Sequence, residues 1–382
     1  MPPGGELDVF LHGDVFFDLV FTGLQAAPLP GTEILASGMG SLPGGIANLA
    51  VATARLGLRT ALAAGFGDDV YGGWCRQVLA EEGVDLSRSV TVPQHTNVTV
   101  SLSHDGDRAM ITHGHDLPME ADALIGTPPP TRAVVTDLGG RRANQRWWRT
   151  AAASGALVFA DIGWDPTGAW DESLLESLRL CHAFVPNSAE AMAYTRTATP
   201  LEALARIGEV VPLAVVTLGA DGAIARDRDT GEEACAGGVP VRHIDPTGAG
   251  DVFMSALVYA RLAHWPLQRA LDFAVLCGAL SVTQLGGSLA SPGWGDVALW
   301  FDAVRGVREC ELYERSPSLG ERFAFLEGVI PAGPFADVRR AAGTFAAHSD
   351  LSEPYPHRPW HDVADAWRAR RAPGRARPRR RW

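Results

Sequence analysis

Short apolar runs alternate along much of the chain with segments whose apolar residues recur at helical spacing. The runs at residues 7–11, 60–65, 133–136, 157–161, 183–186 and 213–217 predict buried strands. The intervening segments predict helices, including 145–154, 171–180, 188–195 and 201–210. Strands and helices that alternate in this way form a parallel sheet with helices on both faces. The predicted fold class is therefore α/β, with a mostly parallel central sheet between two layers of helices.

A different pattern lies between the second and third of these strands. Residues 96–102 alternate polar and apolar side chains with a period of two, turn at Asp105-Gly106 and resume through 108–112, which predicts a hairpin with one dry face. His113 and His115 follow at a spacing compatible with a metal site, but no third ligand is near, so we expect them to face solvent or substrate. Residues 21–43 are rich in proline and glycine and predict loops and short strands.

Composition narrows the class of protein. The 382 residues can bury a full core, and a hydrophobic fraction of 46% with a charged fraction of 20% is ordinary for a soluble enzyme. No apolar run reaches about 18 residues and the N-terminus lacks a signal-peptide pattern, so we expect a cytoplasmic protein without a membrane segment. The net charge is −11 although the last fifteen residues hold eight arginines and no acid, so the rest of the chain is more acidic than the total. This negative charge disfavours nucleic-acid binding on the core.

The sequence contains no lysine. A P-loop needs the lysine of its G-K-[ST] motif and a protein kinase needs its strand lysine, so both of these phosphoryl-transfer designs are excluded. Schiff-base chemistry is excluded for the same reason. A phosphotransfer site in this chain would have to be built from backbone amides, a metal ion and arginine.

The most informative stretch is residues 243–262, where an extended approach leads into a tight turn and a helix. The small residues Gly248, Ala249 and Gly250 allow backbone amides to converge at the helix N-terminus, which is a site for an anion. Asp251 follows at the mouth of that site, where a carboxylate repels a bound phosphate. It makes sense as a general base that accepts the proton of a neutral hydroxyl while the amides hold the phosphoryl group under attack. The alternative is that Asp251 only caps the helix.

Candidate substrate ligands follow the first strand. Asp14 and Asp18 come after it, and the ligand sites of parallel sheets lie beyond the carboxyl ends of the strands. Either residue could instead cap the following turn. Further on, Gly44 and Gly45 allow a ligand to approach the backbone closely, and Asn48 offers a donor and an acceptor to hydroxyl groups. Together these residues predict a site for a molecule that carries hydroxyl groups.

Four motifs resemble those of the ribokinase-like, or PfkB-type, carbohydrate and nucleoside kinases. They are D-P-T-G-A-G-D at 245–251, the G-G turn at 44–45 with Asn48 and a helix ending in A-R-L-G, G-x-G-D-D-x-x-G at 65–72, and N-x-x-E at 187–190. The similarity covers about residues 6–295. It implies a three-layer ribokinase-like domain with a small β-sheet lid, whose strands at about 20–42 and 96–113 often form a homodimer interface. It also implies ATP and Mg²⁺ as cofactors.

The resemblance assigns further roles by position. It implies that Asp18 holds sugar hydroxyls and that Glu190 helps to place Mg²⁺ through water, for which one carboxylate is chemically sufficient. The structural alternative is that Asn187 caps a helix with Glu190 in its first turn. The remaining implied contacts are with ATP and with potassium: Asn187, Thr217, Gly219 and Gly222 near the nucleotide, Gly278 in a small-residue helix at 270–285 beside adenine, and Asp245 and Thr247 at a monovalent-cation site.

These residues predict an ATP-dependent kinase that moves the γ-phosphoryl group to a primary hydroxyl of a sugar or sugar derivative. A nucleoside acceptor is the alternative, and it would need a platform for the base, for which Phe16, Phe17 and Ile46 are available. A second alternative is a catalytically silent sugar- or nucleotide-binding regulator, which should show damage to the catalytic set. Beyond the similar region we predict a helical extension at 296–367 and a disordered arginine- and proline-rich tail at 368–382.

Overall fold

The strands and helices alternate along the chain as the periodicity predicts. The computed structural model describes residues 6–24, 26–104, 107–162, 168–171, 174–305 and 318–341. Its strands are β1 (Leu7–His12), β2 (Val15–Thr22), β3 (Gly38–Gly45), β4 (Thr60–Ala63), β5 (Gly65–Gly67), β6 (Val90–Val92), β7 (Asn97–His104), β8 (Asp107–His113), β9 (Thr131–Asp137), β10 (Leu157–Asp161), β11 (Ala183–Phe184), β12 (Leu213–Thr217), β13 (Gly222–Asp227) and β14 (Glu233–Gly237).

The helices lie between these strands and after them. They are α1 (Ala47–Arg55), α2 (Val70–Glu81), α3 (Ala121–Ile125), α4 (Arg146–Ala153), α5 (Leu174–Ser177), α6 (Ser188–Thr195), α7 (Pro200–Gly208), α8 (Ala249–Leu262), α9 (Leu267–Ser281), α10 (Trp294–Val304) and α11 (Leu319–Arg322). Short 3₁₀ turns cover Gly140–Asn144, Leu178–Leu180, Gly219–Asp221, Ser288–Ala290 and Ala324–Gly328. None of the helices in the described ranges is both long and apolar enough to cross a membrane.

The central sheet has eight strands in the order β14-β13-β12-β11-β10-β9-β1-β4. The six strands from β12 to β4 pair in parallel, and only β13 and β14 are antiparallel. Residues of one strand alternate between the two faces: Val9 and Leu11 pack in the cluster with α1, α8 and α9, whereas Phe10 packs in the cluster with α4. The predicted α/β class, with a mostly parallel sheet between two helical layers, is confirmed.

A separate four-stranded sheet, the lid sheet, has the order β3-β2-β7-β8. The predicted hairpin corresponds to β7 and β8, which pair in antiparallel register from Val98 opposite His113. The predicted lid segment at 20–42 contributes only the end of β2 and most of β3, because residues 26–37 form no strand. The rings of His113 and His115 meet edge to face, 5.1 Å between centroids, and the described residues contain no group of three or more His, Cys, Asp or Glu arranged to hold a metal ion.

Two predicted helices end earlier than the apolar pattern suggests. The small-residue helix predicted to reach residue 285 ends at Ser281, because the carbonyl of Val282 accepts hydrogen bonds from the amides of Ile244 and Asp245. The chain is thereby drawn back toward the turn before α8. The helix predicted at 171–180 is described as α5 and a 3₁₀ turn, and residues 172–173 lie outside the described part.

The part of the extension that the structure describes packs on the same core as α8 and α9. Trp300 and Phe323 are fully buried in that cluster, with their rings 4.9 Å apart. Residues 331–340 form neither helix nor strand, and we call residues 331–341 the C-terminal strap. Near its end, Arg340 donates to the Asp296 carboxylate at 2.6 Å and to the carbonyls of residues 289–291. The predicted division of the chain at residue 295 stays a prediction, and the predicted tail at 368–382 lies outside the described residues.

The last described residue of the strap contacts the lid sheet. Ala341 is buried in a small cluster with Val20, Leu42, Leu285 and Leu289. Its methyl group lies 3.0 Å from the position that a Cβ on Gly40 of β3 would occupy, so the strap and the lid strand meet without room for a larger side chain.

Candidate active site

The turn before α8 places an acid beside the helix N-terminus. Gly248 is the N-cap residue with φ at +75°, a conformation that glycine adopts without strain, and no side chain caps the helix. Asp251 lies in the first turn of the helix. Its Oδ2 accepts a hydrogen bond of 2.8 Å from the Nδ2 of Asn48, a residue 203 positions away in the chain. The two residues that were predicted to serve proton transfer and hydroxyl binding are in direct contact.

Asn48 is held between two glycines. Asn48 is 5% exposed. If Gly287 carried a side chain, its Cβ would lie 2.4 Å from Asn48 Oδ1, and a Cβ on Gly248 would lie 3.2 Å from Nδ2. Because Nδ2 donates to Asp251, the amide orientation is fixed, and its buried Oδ1 has no hydrogen-bond partner in the described part of the protein. A buried acceptor without a donor is costly unless a ligand supplies one.

Asp18 shows the same feature on β2. The residue is 8% exposed, its Oδ1 has no hydrogen-bond partner among the described residues, and its Oδ2 lies 1.8 Å from the position of a Cβ on Gly44. Burial raises the pKa of Asp18 from its usual 3.8 to about 7, the nearby charge of Asp245 adds to the rise, and a hydrogen bond from Thr99 opposes it. We call Asp18, Gly44, Gly45 and Asn48 the hydroxyl-binding cluster.

The raised pKa of Asp18 predicts how stability depends on pH. Its folded-state pKa lies above that of the unfolded chain, so the folded state binds more protons and the burial of Asp18 becomes more destabilising as pH rises toward about 7. Asp18→Asn should raise the melting temperature relative to the parent protein by an amount that grows from pH 5 to pH 7 and then levels off. Thermal melts of both proteins across this range measure the difference, and a difference that does not change with pH would contradict the assignment.

Asp14 lies in the turn between β1 and β2, beside Gly45. Its carbonyl accepts from the amide of Ile46 at 3.0 Å, and Gly45 adopts φ of +64° with no space for a side chain against that carbonyl. The Asp14 carboxylate accepts from Arg142 Nη2 at 2.7 Å, and Nη1 of the same guanidinium donates to Asp137. Sequence reasoning missed Arg142, and no sequence signal marks it, because the residue lies in a 3₁₀ turn outside every motif.

Two further acids were also missed. Asp137 and Asp161 end β9 and β10 and are directly paired in register. Burial raises the pKa of Asp161 well above its usual value, and the charges of Glu190, Asp251 and Asp137 raise it further. Their position at the carboxyl ends of parallel strands is the signal that selected Asp14, so the same rule could have found them. These acids therefore lie between Asp251 and Glu190 in the sense that their charges act on one another.

Glu190 and Asn187 form a capping box at the start of α6. The Asn187 side chain accepts from the Glu190 amide and Glu190 Oε2 accepts from the Asn187 amide, both at 3.0 Å. The structural alternative for this pair is therefore real. Burial raises the pKa of Glu190, and the charge of Asp137 contributes. A divalent cation bound nearby would offset the repulsion between Glu190 and the neighbouring acids and would stabilise its carboxylate form.

Of the residues assigned to the nucleotide, Thr217 contacts this capping box. Thr217 ends β12, donates its amide to the Pro186 carbonyl at 3.1 Å and bridges to Asn187. Gly219 and Gly222 follow with positive φ values of 60° and 106°. Gly278 lies instead on α9, on the side that faces α8. A Cβ at this position would lie 3.3 Å from the Ala249 carbonyl, so the small size of glycine permits close packing of the two helices.

Asp245 fixes the turn from within. It is fully buried, its Oδ1 accepts from the amide and hydroxyl of Thr247 at 3.0 and 2.7 Å, and its Oδ2 accepts from the amide of Gly286 at 3.0 Å. These bonds tie the approach to α8 to the loop after α9. The two residues predicted at a cation site are thus in contact with each other.

The proposed aromatic platform needs one correction. Phe17 is 1% exposed and stacks on Tyr71 with ring centroids 4.4 Å apart, so it belongs to the core and offers no face to a ligand. Strand alternation explains the error, because Phe16 and Asp18 share one face of β2 and Phe17 points to the other. Phe16 is half-buried beside Gly45, and Ile46 is half-buried beside Gly13.

The arrangement can bind hydroxyl groups next to a proton acceptor, and it can bind an anion beside them. At the helix start, Gly250 faces open space, since a Cβ there would meet no atom within 4 Å. The amide of Ala249 donates to the Pro246 carbonyl at 3.2 Å, so that donor is engaged within the turn. A molecule that approaches Asp251 would meet the positive end of α8.

Comparisons with known proteins identify the family and the fold. The family model described as pfkB family carbohydrate kinase matches residues 8–293. A nucleoside kinase from Methanothermobacter thermautotrophicus is 26% identical over 311 residues, which cover 79% of this chain and 97% of the relative. A fructokinase from Vibrio alginolyticus is 27% identical over 307 residues, 74% of this chain and 95% of the relative. The crystal structure of a putative ribokinase II from E. coli in complex with ATP and Mg²⁺ superimposes with a TM-score of 0.63 at 22% identity and covers 76% of this chain and 98% of that one.

Proposed function

The chain belongs to the pfkB family of carbohydrate kinases, and from this membership we propose how its residues phosphorylate a sugar. The protein is a kinase that transfers a phosphoryl group from ATP to a sugar. We propose that the acceptor is a primary hydroxyl of a sugar or sugar derivative and that Asp251 is the general base. The observation that carries the proposal is the 2.8 Å contact of Asp251 with Asn48 at the open N-terminus of α8.

In the proposed mechanism the hydroxyl-binding cluster orients the acceptor. Asp18 Oδ1 and Asn48 Oδ1, both buried without partners among the described residues, accept hydrogen bonds from acceptor hydroxyls. The Asn48 amide holds the Asp251 carboxylate by its hydrogen bond, and Asp251 takes the proton of the attacking hydroxyl. The backbone at Gly248 and Gly250, with the positive end of α8, stabilises negative charge on the transferred group, whereas the Ala249 amide is held by the Pro246 carbonyl.

The residues also fit a magnesium–nucleotide complex. Glu190, Asp161 and Asp137 are mutually close acids, and the pKa values of Glu190 and Asp161 are raised in part by these neighbouring charges. Mg²⁺ prefers oxygen ligands, keeps several waters and, when bound, supplies positive charge that neutralises the phosphates. We propose that Glu190 holds this ion through water and that Asn187, Thr217, Gly219, Gly222 and Gly278 border the nucleotide.

A nucleoside acceptor is the second candidate. One relative is named a nucleoside kinase, and Phe16 keeps a half-buried ring on the Asp18 face of β2, where it could contact a flat base. The two candidates share the ribose-like hydroxyl pattern and differ in the part of the acceptor that reaches Phe16.

Release of ADP in the presence of ATP and Mg²⁺ tests the function and chooses the acceptor class. Fructose, ribose, adenosine and simple polyols are offered at equal concentration, with acceptor-free protein as the control for ATP hydrolysis. We expect acceptor-dependent ADP release with a sugar, whereas preference for adenosine would favour the nucleoside alternative. Tight binding of sugar or ATP without any release would support the silent regulator instead.

Two finer assignments remain proposals. We propose that a potassium ion binds beside the turn that Asp245 and Thr247 hold, so replacement of K⁺ by choline should lower turnover, and an unchanged rate would count against it.

We also propose that the protein works in the cytoplasm, where a kinase meets its supply of ATP; export of the intact protein would contradict this.

We propose that the lid sheet forms a homodimer. Its edge strands β3 and β8 present apolar side chains to solvent, with Met110 55% and Ile111 67% exposed, and unpaired edge strands are favourable sites for pairing with a second copy. Size-exclusion chromatography with light scattering should give twice the chain mass of 40.6 kDa. Ile111→Glu should shift the protein toward the monomer, while Leu201→Glu on α7, an equally exposed position, should not.

A further inference from the structure

Arg142 joins two segments that border the site. It lies in the 3₁₀ turn after β9, and its two terminal nitrogens contact different carboxylates: Nη2 donates to Asp14 at 2.7 Å and Nη1 donates to Asp137. Asp137 is itself fixed by the Gly139 amide, which donates to its Oδ1 at 2.6 Å. We call Asp14, Arg142 and Asp137 the arginine bridge.

The arginine bridge borders the hydroxyl-binding cluster. Its Asp14 end contacts the turn of Gly45 and Ile46 through the Asp14 carbonyl, and Gly45 is adjacent to Gly44, whose backbone touches Asp18. Its members are partly open to solvent, with 45% of the Arg142 side chain and 29% of the Asp14 side chain exposed. A bound acceptor that occupies the cluster therefore has the bridge as its neighbour.

The charges of this neighbourhood are predominantly negative. One guanidinium faces two carboxylates within the bridge, and Asp251 adds a further acid on the acceptor side. Burial lowers the pKa of Arg142, but the charges of Asp137, Asp14 and Asp116 outweigh this effect and raise it, so the guanidinium stays charged. Arginine ordinarily recognises carboxylates and phosphates with its two terminal nitrogens. Here both nitrogens already bind carboxylates of the same chain.

We propose that the arginine bridge makes the kinase select uncharged acceptors and reject sugars that carry a carboxylate or phosphate next to the hydroxyl-binding cluster. An anionic group would meet the Asp14 carboxylate while both terminal nitrogens of Arg142 are already engaged, and such like-charge contacts are strongly unfavourable in a partly buried site. The inference rests on the proposed function and narrows its acceptor class to neutral sugars, polyols and nucleosides.

A matched pair of acceptors tests the proposal. Fructose and 2-keto-D-gluconate both carry a primary hydroxyl at C6 and differ only at C1, which is a hydroxymethyl group in the first and a carboxylate in the second, so the rates compared are those of phosphorylation at C6. We expect kcat/KM for fructose to exceed that for the acid by at least about 10²-fold in the parent enzyme. Asp14→Asn keeps the shape and removes the charge, so the ratio should fall at least about tenfold, mainly through a lower KM for the acid. Arg142→Gln removes the only cation of the bridge, so the ratio should rise.

The opposite signs of the two variants distinguish the bridge from a merely structural contact, which would lower both activities together. Arg179→Gln, which breaks the exposed pair of Arg179 with Glu176 at 3.0 Å, is the control and should leave the ratio unchanged. A parent enzyme that uses the acid as well as fructose, or an unchanged ratio in Asp14→Asn, overturns the proposal while leaving the kinase function intact. If no acceptor is phosphorylated, the proposed function fails, and calorimetric binding of the two compounds then decides the charge preference.

Discussion

Asp251→Asn should lower the turnover number by about 10²- to 10⁴-fold, the usual contribution of a general base, while ATP binds with unchanged affinity. Asparagine keeps the size of the side chain and can still accept a hydrogen bond from Asn48, so the geometry at the start of α8 is preserved. What it loses is the ability to take a proton. The effect should therefore appear in kcat rather than in the KM for either substrate.

The matched control for this variant is Asp302→Asn. Asp302 is an exposed acid on α10 that pairs with Arg305 one turn away, so its replacement should leave turnover unchanged. Steady-state rates with the best acceptor of the ADP-release screen, together with calorimetric ATP binding, provide the measurement. A fully active Asp251→Asn would remove the general base from the mechanism, and loss of ATP binding would mean that the residue supports the nucleotide instead.

Gly44→Ala should lower kcat/KM for the acceptor by about 10- to 150-fold, which is the value of one hydrogen bond to a charged group. The new methyl group would stand 1.8 Å from Asp18 Oδ2 and 2.3 Å from its Cγ, so the carboxyl group has to leave the position in which it faces the acceptor. Steady-state kinetics at varied acceptor concentration should show the loss in KM. Gly73→Ala, at a helical glycine with open space around it, is the control and should be silent.

A double-mutant cycle separates this mechanism from a general loss of stability. If Gly44→Ala acts by displacing the Asp18 carboxyl group, the combination of Gly44→Ala with Asp18→Asn should be no worse than the more severe single variant. Additive losses would show that the two positions affect the acceptor independently. Thermal melts of all three variants confirm that the compared proteins are folded.

The sequence predicted the parts of the site that depend on local motifs. A glycine turn before a helix was sufficient to locate the start of α8, and the face of β2 that carries Asp18 follows from strand alternation. The same alternation would have excluded Phe17 as a ligand platform, had it been applied to that residue. Roles for single side chains, such as Glu190 and Gly278, stay predictions, because the capping box and the helix packing give each of them a structural purpose as well.

The parts that were missed depend on distant contacts. Arg142 meets Asp14 across 128 positions of sequence, and no local pattern marks an arginine that will find two carboxylates in space. Asp137 and Asp161 each end a predicted strand and could have been found on that ground, but their direct pairing depends on the register of β9 and β10. The contact of the strap with the lid sheet likewise depends on tertiary packing. Periodicity identifies elements, whereas the pairing of loops at the ends of those elements is decided by the assembled fold.

The strap makes the far end of the described chain sensitive to acceptor binding at the hydroxyl-binding cluster. Ala341 shares a small apolar cluster with Val20 of β2 and Leu42 of β3, the two strands that also carry Asp18 and Gly44. Displacement of either strand when an acceptor enters must repack that cluster, because tightly packed interiors transmit small shifts rather than absorb them. Amide hydrogen exchange in residues 338–341 should therefore report acceptor occupancy, which would make an extension outside the family region an allosteric readout of the sugar site.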